Sequence, residues 1–227
     1  MYIKTIAIEG SDGAGKATTT RLLKDYLLQN KGKKVGSISF PRYNEDTVGG
    51  KLCYEVLKSE RKDNYNFISL LPKIASLLYA MDRAESKDYI QKLINENDFL
   101  IFDRYVGSNF IHQGGKILDD REREKLISFL QRLEYVEFGL SEPDITFFLY
   151  LPTRVAIENK RKQREKESNT KVDAGEDDFT YLENSNKAGL WCCERFGWHK
   201  IDCFEEEFYT QKNRLEVLQE ILEVLAI

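Results

Sequence analysis

The chain has 227 residues, of which 41% are hydrophobic and 32% are charged, the balance of a globular protein that buries a core. Its net charge of −4 argues against a nucleic-acid partner, and its 2 histidines and 4 cysteines lack zinc-ligand spacing. No apolar stretch reaches the about 18 residues that a membrane span needs, so we expect no membrane association. The first residues lead directly into a strand-like segment without a signal peptide, which predicts a cytoplasmic location.

Strand-like and helix-like segments alternate along the chain. Short apolar, β-branched runs predict strands at residues 5–8, 35–40, 99–102, 145–151 and 199–203. Apolar residues at helical spacing predict helices at residues 16–30, 70–95, 120–133 and 213–225. This alternation indicates the α/β class, with a parallel five-stranded sheet flanked by helices in a single domain over residues 1–227. Ligands of such folds bind at the carboxyl ends of the strands.

A glycine-rich motif follows the first predicted strand. Residues 10–16 fit G-x-x-x-x-G-K and open the first predicted helix, the context in which this motif binds nucleotide phosphates rather than forming a simple glycine turn. Backbone N–H groups and the helix N-terminus would cradle phosphate oxygens, with Lys16 between the β- and γ-phosphates. The residues predicted to contact ATP are Gly10, Ser11, Asp12, Gly13, Ala14, Gly15, Lys16, Ala17 and Thr18.

Ala17 departs from the motif, because a Ser or Thr hydroxyl at this position ordinarily binds Mg²⁺. Thr18 is not a simple substitute, since consecutive helical residues point about 100° apart. Two interpretations stay open. Either phosphates and water hold the metal ion, or the chain is a nucleotide-binding module with impaired phosphotransfer.

The third predicted strand ends in Asp103 and Arg104. An acid at this place in P-loop proteins can orient Mg²⁺, usually through water, and an adjacent arginine can bind a second phosphate with two hydrogen bonds. The alternative is a surface ion pair at the end of a strand. With the glycine-rich motif present, we interpret Asp103 as an indirect metal ligand and Arg104 as a phosphate-binding cation.

A helical segment and a basic run are weaker indications of a nucleotide-binding site. Tyr79 and Arg83 are four residues apart and share a helix face, where they could stack on a base and bind its edge or simply pack. Residues 159–178 begin with Lys and Arg and end with Asp and Glu. Such a charge run is ordinarily a solvated helix and loop, and alternatively a mobile lid that closes over phosphates.

Together, these segments resemble the thymidylate kinase family, in the same order and over nearly the whole chain. The loop and the Asp-Arg pair are shared with wider groups of nucleotide kinases, whereas the Phe-Pro-Arg segment and the aromatic–arginine helix are more specific. The matching segments are residues 9–16, 39–42, 78–85, 103–109, 142–144, 173–176 and 196–202.

The resemblance implies a P-loop NTPase fold and transfer of the γ-phosphate of ATP to dTMP, with Mg²⁺ as cofactor. It implies that Arg42 and Arg104 hold the phosphate of the acceptor and that Asp12 meets the sugar 3′-hydroxyl. Tyr79 would stack on thymine and Arg83 would read its O4 edge.

The resemblance also places further residues around the substrate. Phe40 and Pro41 would line the acceptor site, Ser108 and Asn109 would lie beside the base, and His112 would lie near the sugar, where many bacterial members have a tyrosine. A homodimer is implied as well.

Residues 159–178 would form the lid, with Arg161 and Arg164 as its catalytic cations. Gly13 stands where some family members carry a loop arginine, so the chain resembles the subgroup that supplies this cation from the lid. Tyr150 and Ala174 replace a common aspartate and a common arginine. A kinase acting on another nucleoside monophosphate or on a deoxynucleoside is the remaining catalytic alternative.

Overall fold

The computed structural model describes residues 3–43, 47–58, 70–167, 178–207 and 210–227, without the side chains of residues 163–167. Its centre is a parallel five-stranded sheet in the order β2-β3-β1-β4-β5. The strands are β1 (Thr5–Gly10), β2 (Val35–Ser39), β3 (Phe99–Asp103), β4 (Ile145–Tyr150) and β5 (His199–Asp202). The prediction of an α/β fold with this sheet is confirmed.

Helices cover both faces of the sheet. They are α1 (Lys16–Lys31), α2 (Val48–Lys58), α3 (Pro72–Glu85), α4 (Lys87–Glu96), α5 (Val106–His112), α6 (Asp120–Gln131), α7 (Thr153–Glu167), α8 (Phe179–Phe196) and α9 (Arg214–Leu225). One buried cluster packs Leu23 of α1 and Ile221 of α9 against β1 and β4. The other packs Ile90 of α4 and Leu126 of α6 against β3. The inner strands β1, β3 and most of β4 are therefore buried on both faces, which explains their apolar sequences.

Two predicted helices differ from the observed ones. The helix predicted over 70–95 is broken at Ser86, where the backbone has φ −87° and ψ 0°, so α3 ends and α4 starts there. The helix predicted over 120–133 ends at Gln131 and continues as a π-helix, Arg132–Glu137. The structure also contains a short hairpin, β6 (Phe204–Glu205) with β7 (Thr210–Gln211), that was not predicted.

The fold brings the predicted site residues to one edge of the sheet. Gly10 ends β1 and Asp103 ends β3, which pair with each other in parallel. Gly10 has a φ of 151°, and a Cβ there would lie 2.4 Å from the carbonyl oxygen of Leu149. A side chain does not fit at this point, so glycine lets the chain leave β1 against β4. Within the described residues, no helix is both long and apolar enough to span a membrane.

Candidate active site

The glycine-rich loop wraps around the amine of Lys16. Lys16 is 5% exposed, and its Nζ donates to the carbonyls of Gly10 (2.9 Å) and Ser11 (2.8 Å). Burial, together with the nearby charge of Arg104, lowers the pKa of Lys16 to about 7. The amine is thus held inside the loop at the position from which it can reach phosphate oxygens.

Asn186 of α8 anchors this loop. The hydroxyl of Ser11 donates to Oδ1 of Asn186 (2.5 Å) and accepts from the N–H of Leu151 (3.1 Å). The Asn186 amide in turn donates to the carbonyl of Leu151 (3.0 Å) and to the hydroxyl of Thr153 (3.1 Å). Asn186 therefore joins the loop to the C-terminal end of β4 and to the start of α7. No sequence motif indicates this role.

A cavity of about 640 Å³ opens on the loop, and we call it the donor cavity. Its lining includes Gly13, Gly15, Lys16, Ala17 and Thr18 of the predicted loop, together with Asp103 and Arg104. Of the other predicted loop residues, Gly10, Ser11 and Ala14 are buried, and Asp12 lines a second cavity described below. Further cations line the cavity, namely Lys160, Lys162 and Arg214. Five cationic side chains around one opening suit a polyphosphate.

The structure places Arg161, one of the two predicted lid arginines, outside the lining of the donor cavity. Arg161 lies on the exposed face of α7, where it pairs with Glu158 at 3.0 Å. The side chain of Arg164 and residues 168–177 of the predicted lid lie outside the described residues. Lys160 and Lys162 line the cavity, whereas Arg161 between them does not.

A second cavity of about 300 Å³, which we call the acceptor cavity, lies beside the first. It is lined by the predicted residues Asp12, Phe40, Pro41, Tyr79, Arg83, Arg104, Ser108, Asn109 and His112. Tyr43, Tyr105 and Tyr181 also line it and were not predicted. Burial raises the pKa of Tyr79 and that of Tyr181, so both phenols are neutral and available for stacking and hydrogen bonding.

Arg42 is the one predicted acceptor-site residue that the structure places elsewhere. Its guanidinium donates to the hydroxyl of Ser86 (2.8 Å) and lies 5.0 Å from the centre of the Tyr89 ring. Its backbone N–H donates to the buried carboxylate of Asp82 (2.8 Å), which fixes the chain after Pro41. The side chain would have to rotate to reach a phosphate in the acceptor cavity.

Arg104 lines both cavities. Its Nη2 donates to the carboxylate of Asp12 (2.6 Å), and its backbone adopts a φ of 65°, which is strained for a residue with a side chain. Burial raises the pKa of the Asp12 carboxyl, but the charge of Arg104 outweighs this effect and the net pKa is well below the usual range. Strain of this kind is commonly retained where geometry serves function.

His112 lies next to the pair formed by Arg104 and Asp12. Its Nε2 lies 3.3 Å from Nη1 of Arg104, and its Nδ1 lies 3.3 Å from the hydroxyl of Tyr181. Because a guanidinium only donates, Nε2 must accept and Nδ1 must carry the proton. Burial lowers the pKa of His112 to about 4, which agrees with a neutral ring.

Comparison with known proteins identifies the family. A family model described as thymidylate kinase matches residues 8–187. The chain is 32% identical over 162 residues to a thymidylate kinase of Mycobacterium tuberculosis, covering 71% of this chain and 72% of that protein. It is 31% identical over 173 residues to one of Thermosipho melanesiensis, covering 76% of each.

The chain belongs to the thymidylate kinase family. It is a phosphotransferase that phosphorylates dTMP with ATP as the phosphate donor. Two solved thymidylate kinases share its fold. The one from Candida albicans has a TM-score of 0.67 at 23% identity, over 99% of this chain and 92% of that chain. The one from Ehrlichia chaffeensis has a TM-score of 0.66 at 21% identity, over 98% of each.

Among the described residues of this thymidylate kinase family member, the donor cavity offers one carboxylate, Asp103, as a protein ligand for Mg²⁺. No group of three His, Cys, Asp or Glu side chains able to hold a metal ion occurs among them. Asp103 nevertheless lines the donor cavity, and within the part of the chain that the structure describes its carboxylate accepts only a long hydrogen bond, from Ser39 (3.4 Å). Because Mg²⁺ usually binds one or two carboxylates plus substrate phosphates and water, Asp103 is a suitable protein ligand despite Ala17.

A buried ion pair underlies the acceptor cavity in this family member. Arg83 is 2% exposed, and it donates through Nε and Nη2 to the two carboxylate oxygens of Glu134 (2.5 and 2.7 Å). Asn109 donates to the same carboxylate (3.1 Å), while Glu9 accepts from the hydroxyl of Ser108 (2.5 Å). Arg83, Asn109 and Ser108 were predicted as site residues from the sequence. Glu134 was not predicted, because it lies in no recognisable motif.

Proposed function

We propose that the γ-phosphate of ATP passes to dTMP at the junction of the donor and acceptor cavities. The single observation that carries this proposal is the position of Arg104, which lines both cavities beside the phosphate loop. A cation at this point lies next to the transferring phosphate and next to the phosphate of the acceptor. The product pair is dTDP and ADP.

Phosphate transfer at this junction needs no general base. The second pKa of a nucleoside monophosphate is about 6, so its phosphate oxygen is already an anionic nucleophile at pH 7. The requirement is charge neutralisation and alignment of two polyanions, which Lys16, Arg104 and the cations of α7 supply. Mg²⁺, held by Asp103 and the phosphates, would neutralise further charge on the polyphosphate.

The thymidine moiety would occupy the acceptor cavity. Tyr79 offers a ring for stacking, and Arg83 offers N–H donors for the O4 atom of the base. Ser108 and Asn109 would lie beside the base. Asp12 and His112 would face the sugar, since both contact Arg104 at the phosphate end of the cavity. Phe40 and Pro41 form the adjoining wall, and Arg42 would reach the phosphate after rotating away from Tyr89.

Several finer features of this proposal rest on the family resemblance. They are the requirement for Mg²⁺, a homodimer, and a lid at residues 159–178. A single domain, a cytoplasmic location and the absence of a nucleic-acid partner are proposed from the sequence alone. Each has a direct measurement, such as metal titration for Mg²⁺ and light scattering for the homodimer.

The proposed function is tested by measuring ADP formation from ATP and Mg²⁺ with thymidine, uridine, guanosine, cytidine and adenosine monophosphates. Rapid turnover with dTMP is expected. Turnover only with another acceptor would overturn the base-site assignments, and ATP binding without turnover would point to a nucleotide-binding module.

A matched pair of variants tests the donor cavity. Lys160→Ala should raise the KM for ATP about tenfold, because it removes a cation from the cavity lining, a change of about 1.4 kcal/mol. Arg161→Ala, one residue along α7, should change it less than about twofold, as expected for loss of an exposed ion pair. The reverse order of effects would favour the predicted lid role of Arg161.

A further inference from the structure

Glu134 is a buried acid at the base end of the acceptor cavity. It lies in the π-helix Arg132–Glu137, and its side chain is 0% exposed. π-helical turns inside helical segments are frequent at functional sites. The carboxylate binds two residues that line the acceptor cavity, Arg83 and Asn109, which are 51 and 25 residues away in the chain.

The carboxylate fixes which way the Asn109 amide points. An ionised carboxylate only accepts hydrogen bonds, so it must face the Nδ2 group of Asn109. The carbonyl of Ser76 accepts from the same Nδ2 (3.2 Å), and these two bonds use both of its hydrogens. Oδ1 accepts no hydrogen bond within the described part of the chain and remains as the acceptor that Asn109 contributes to the cavity lining.

The same carboxylate fixes the Arg83 guanidinium. Two parallel bonds to Nε and Nη2 hold the guanidinium plane, and Nη1 lies 3.4 Å from the carbonyl of Tyr105. A guanidinium has five N–H groups, so donors remain for a ligand after these bonds are made. The base end of the cavity therefore presents a fixed donor, Arg83, and a fixed acceptor, Asn109.

This pattern discriminates between pyrimidines. Thymine and uracil present an O4 acceptor next to an N3–H donor, which matches a donor from Arg83 and an acceptor from Asn109. Cytosine presents an amino donor and an N3 acceptor, so both contacts would oppose like groups and leave buried polar atoms unpaired.

We propose that Glu134 is a positioning residue that sets the preference of the acceptor site for thymine or uracil over cytosine by holding Arg83 and Asn109 in one hydrogen-bonding pattern. The inference rests on the base placement in the proposed function. Glu134 does not touch the base. It acts through the two side chains that do.

A purely structural role for Glu134 would be to balance the buried charge of Arg83. Breaking a buried ion pair lowers stability, but charge balance alone does not set the ratio between two pyrimidine substrates. Glu134→Gln retains the shape and gives the side chain an amide donor. An amide nitrogen cannot accept, so in either orientation of the Gln amide at least one of the bonds that hold Arg83 is lost, and in one of them the bond from Asn109 is lost too. The hydrogen-bonding pattern at the base end of the cavity is then no longer fixed.

The experiment compares kcat/KM for dTMP and dCMP in the wild type, in Glu134→Gln and in Glu137→Gln. Glu137 is a matched control, because it lies in the same π-helix and forms an exposed ion pair with Arg132 at 3.2 Å. Glu134→Gln should lower the dTMP:dCMP ratio at least about tenfold, chiefly through the KM for dTMP, with a smaller change in kcat. Glu137→Gln should retain the wild-type ratio.

A folded Glu134→Gln protein with the wild-type ratio would overturn the inference, as would a wild type that does not prefer dTMP to dCMP. If Glu134→Gln does not fold, Glu134→Asp keeps the charge and shortens the reach by one methylene, and it should lower the ratio too. An unchanged ratio in folded Glu134→Asp would equally overturn the inference. A wild type without any dTMP kinase activity would instead refute the proposed function, so the two failures are distinguishable.

Discussion

The guanidinium of Arg104 donates to the carboxylate of Asp12 across 2.6 Å, at the point where the donor and acceptor cavities meet. The pair joins the end of β3 to the phosphate loop, 92 residues away in sequence. Neutral His112 completes the arrangement from α5. Arg104 is thereby fixed before nucleotides bind, which reduces the reorganisation needed when charge moves between them.

Replacement of Arg104 should therefore impair turnover. We expect Arg104→Ala to lower kcat with dTMP by about 10²–10³-fold, the usual cost of losing one electrostatic contact to a transition state. Steady-state ADP formation measures the effect. Arg195→Ala is the control, because Arg195 forms an exposed ion pair with Glu124 on the outer surface of α8 and α6. Near-normal turnover in Arg104→Ala would refute its assigned role.

Binding of ATP should be accompanied by proton uptake at Lys16. The pKa of the free amine is about 7, so most of it is neutral at pH 8, and a bound polyphosphate favours its charged form. We expect close to one proton taken up per ATP at pH 8 and little uptake at pH 6. Calorimetry in buffers of different ionisation enthalpy measures this number. Lys16→Arg, whose side chain stays charged, should abolish the uptake, and persistence of the uptake would assign it to another group.

His112 should make the protein less stable as the pH falls. Its pKa is about 4 in the folded protein against an ordinary 6.5, so the unfolded chain binds a proton first when the pH falls through 6.5. The stability that its neutral ring contributes is present above pH 6.5 and is lost progressively down to pH 4. Between pH 7 and pH 5, the wild type should lose about 1 kcal/mol more than His112→Gln, allowing for partial exposure of the ring.

Urea unfolding at the two pH values measures this difference. Ring resonances of His112 in NMR, assigned by comparison with His112→Gln, should titrate near pH 4. Equal pH dependence in the two proteins, or titration of His112 near its ordinary value, would contradict the prediction.

Asn186 should matter for both stability and ATP binding. Asn186→Ala removes the partner of Ser11 and two donors that serve Leu151 and Thr153. Leaving such buried groups unpaired costs about 1–3 kcal/mol, and the loosened loop should raise the KM for ATP. Thermal unfolding and steady-state kinetics measure the two effects. Asn184→Ala, two residues away on α8, is the control, and equal behaviour of the two variants would rule out the anchoring role.

Much of the fold could be predicted because the inner strands of the sheet are largely buried on both faces and read as apolar runs. Residues 99–102 and 145–151 are clear cases, and both lie in the central part of the sheet. The break at Ser86 could not be predicted, since no Gly or Pro interrupts the sequence there and the helical pattern continues from α3 into α4.

The phosphate loop was predictable for a different reason. Its glycines are required by backbone geometry that neighbouring residues in the sequence determine, as the φ values of 79° at Gly13 and 91° at Gly15 show. Lys16 and Arg104 follow from the same local patterns. Arg42 was placed by resemblance alone, and its contact with Tyr89 depends on a helix that packs against it.

The sequence by itself determined the sheet and the phosphate loop, because these depend on patterns within a few residues. The residues predicted around the acceptor cavity came instead from the resemblance to the thymidylate kinase family. The tertiary structure alone decided which α7 cations face the donor cavity, that Asn186 anchors the loop, and that Glu134 holds both Arg83 and Asn109. The physical reason is that a buried polar group must find its partner in space. For Arg83 that partner lies 51 residues along the chain, beyond the reach of any local pattern.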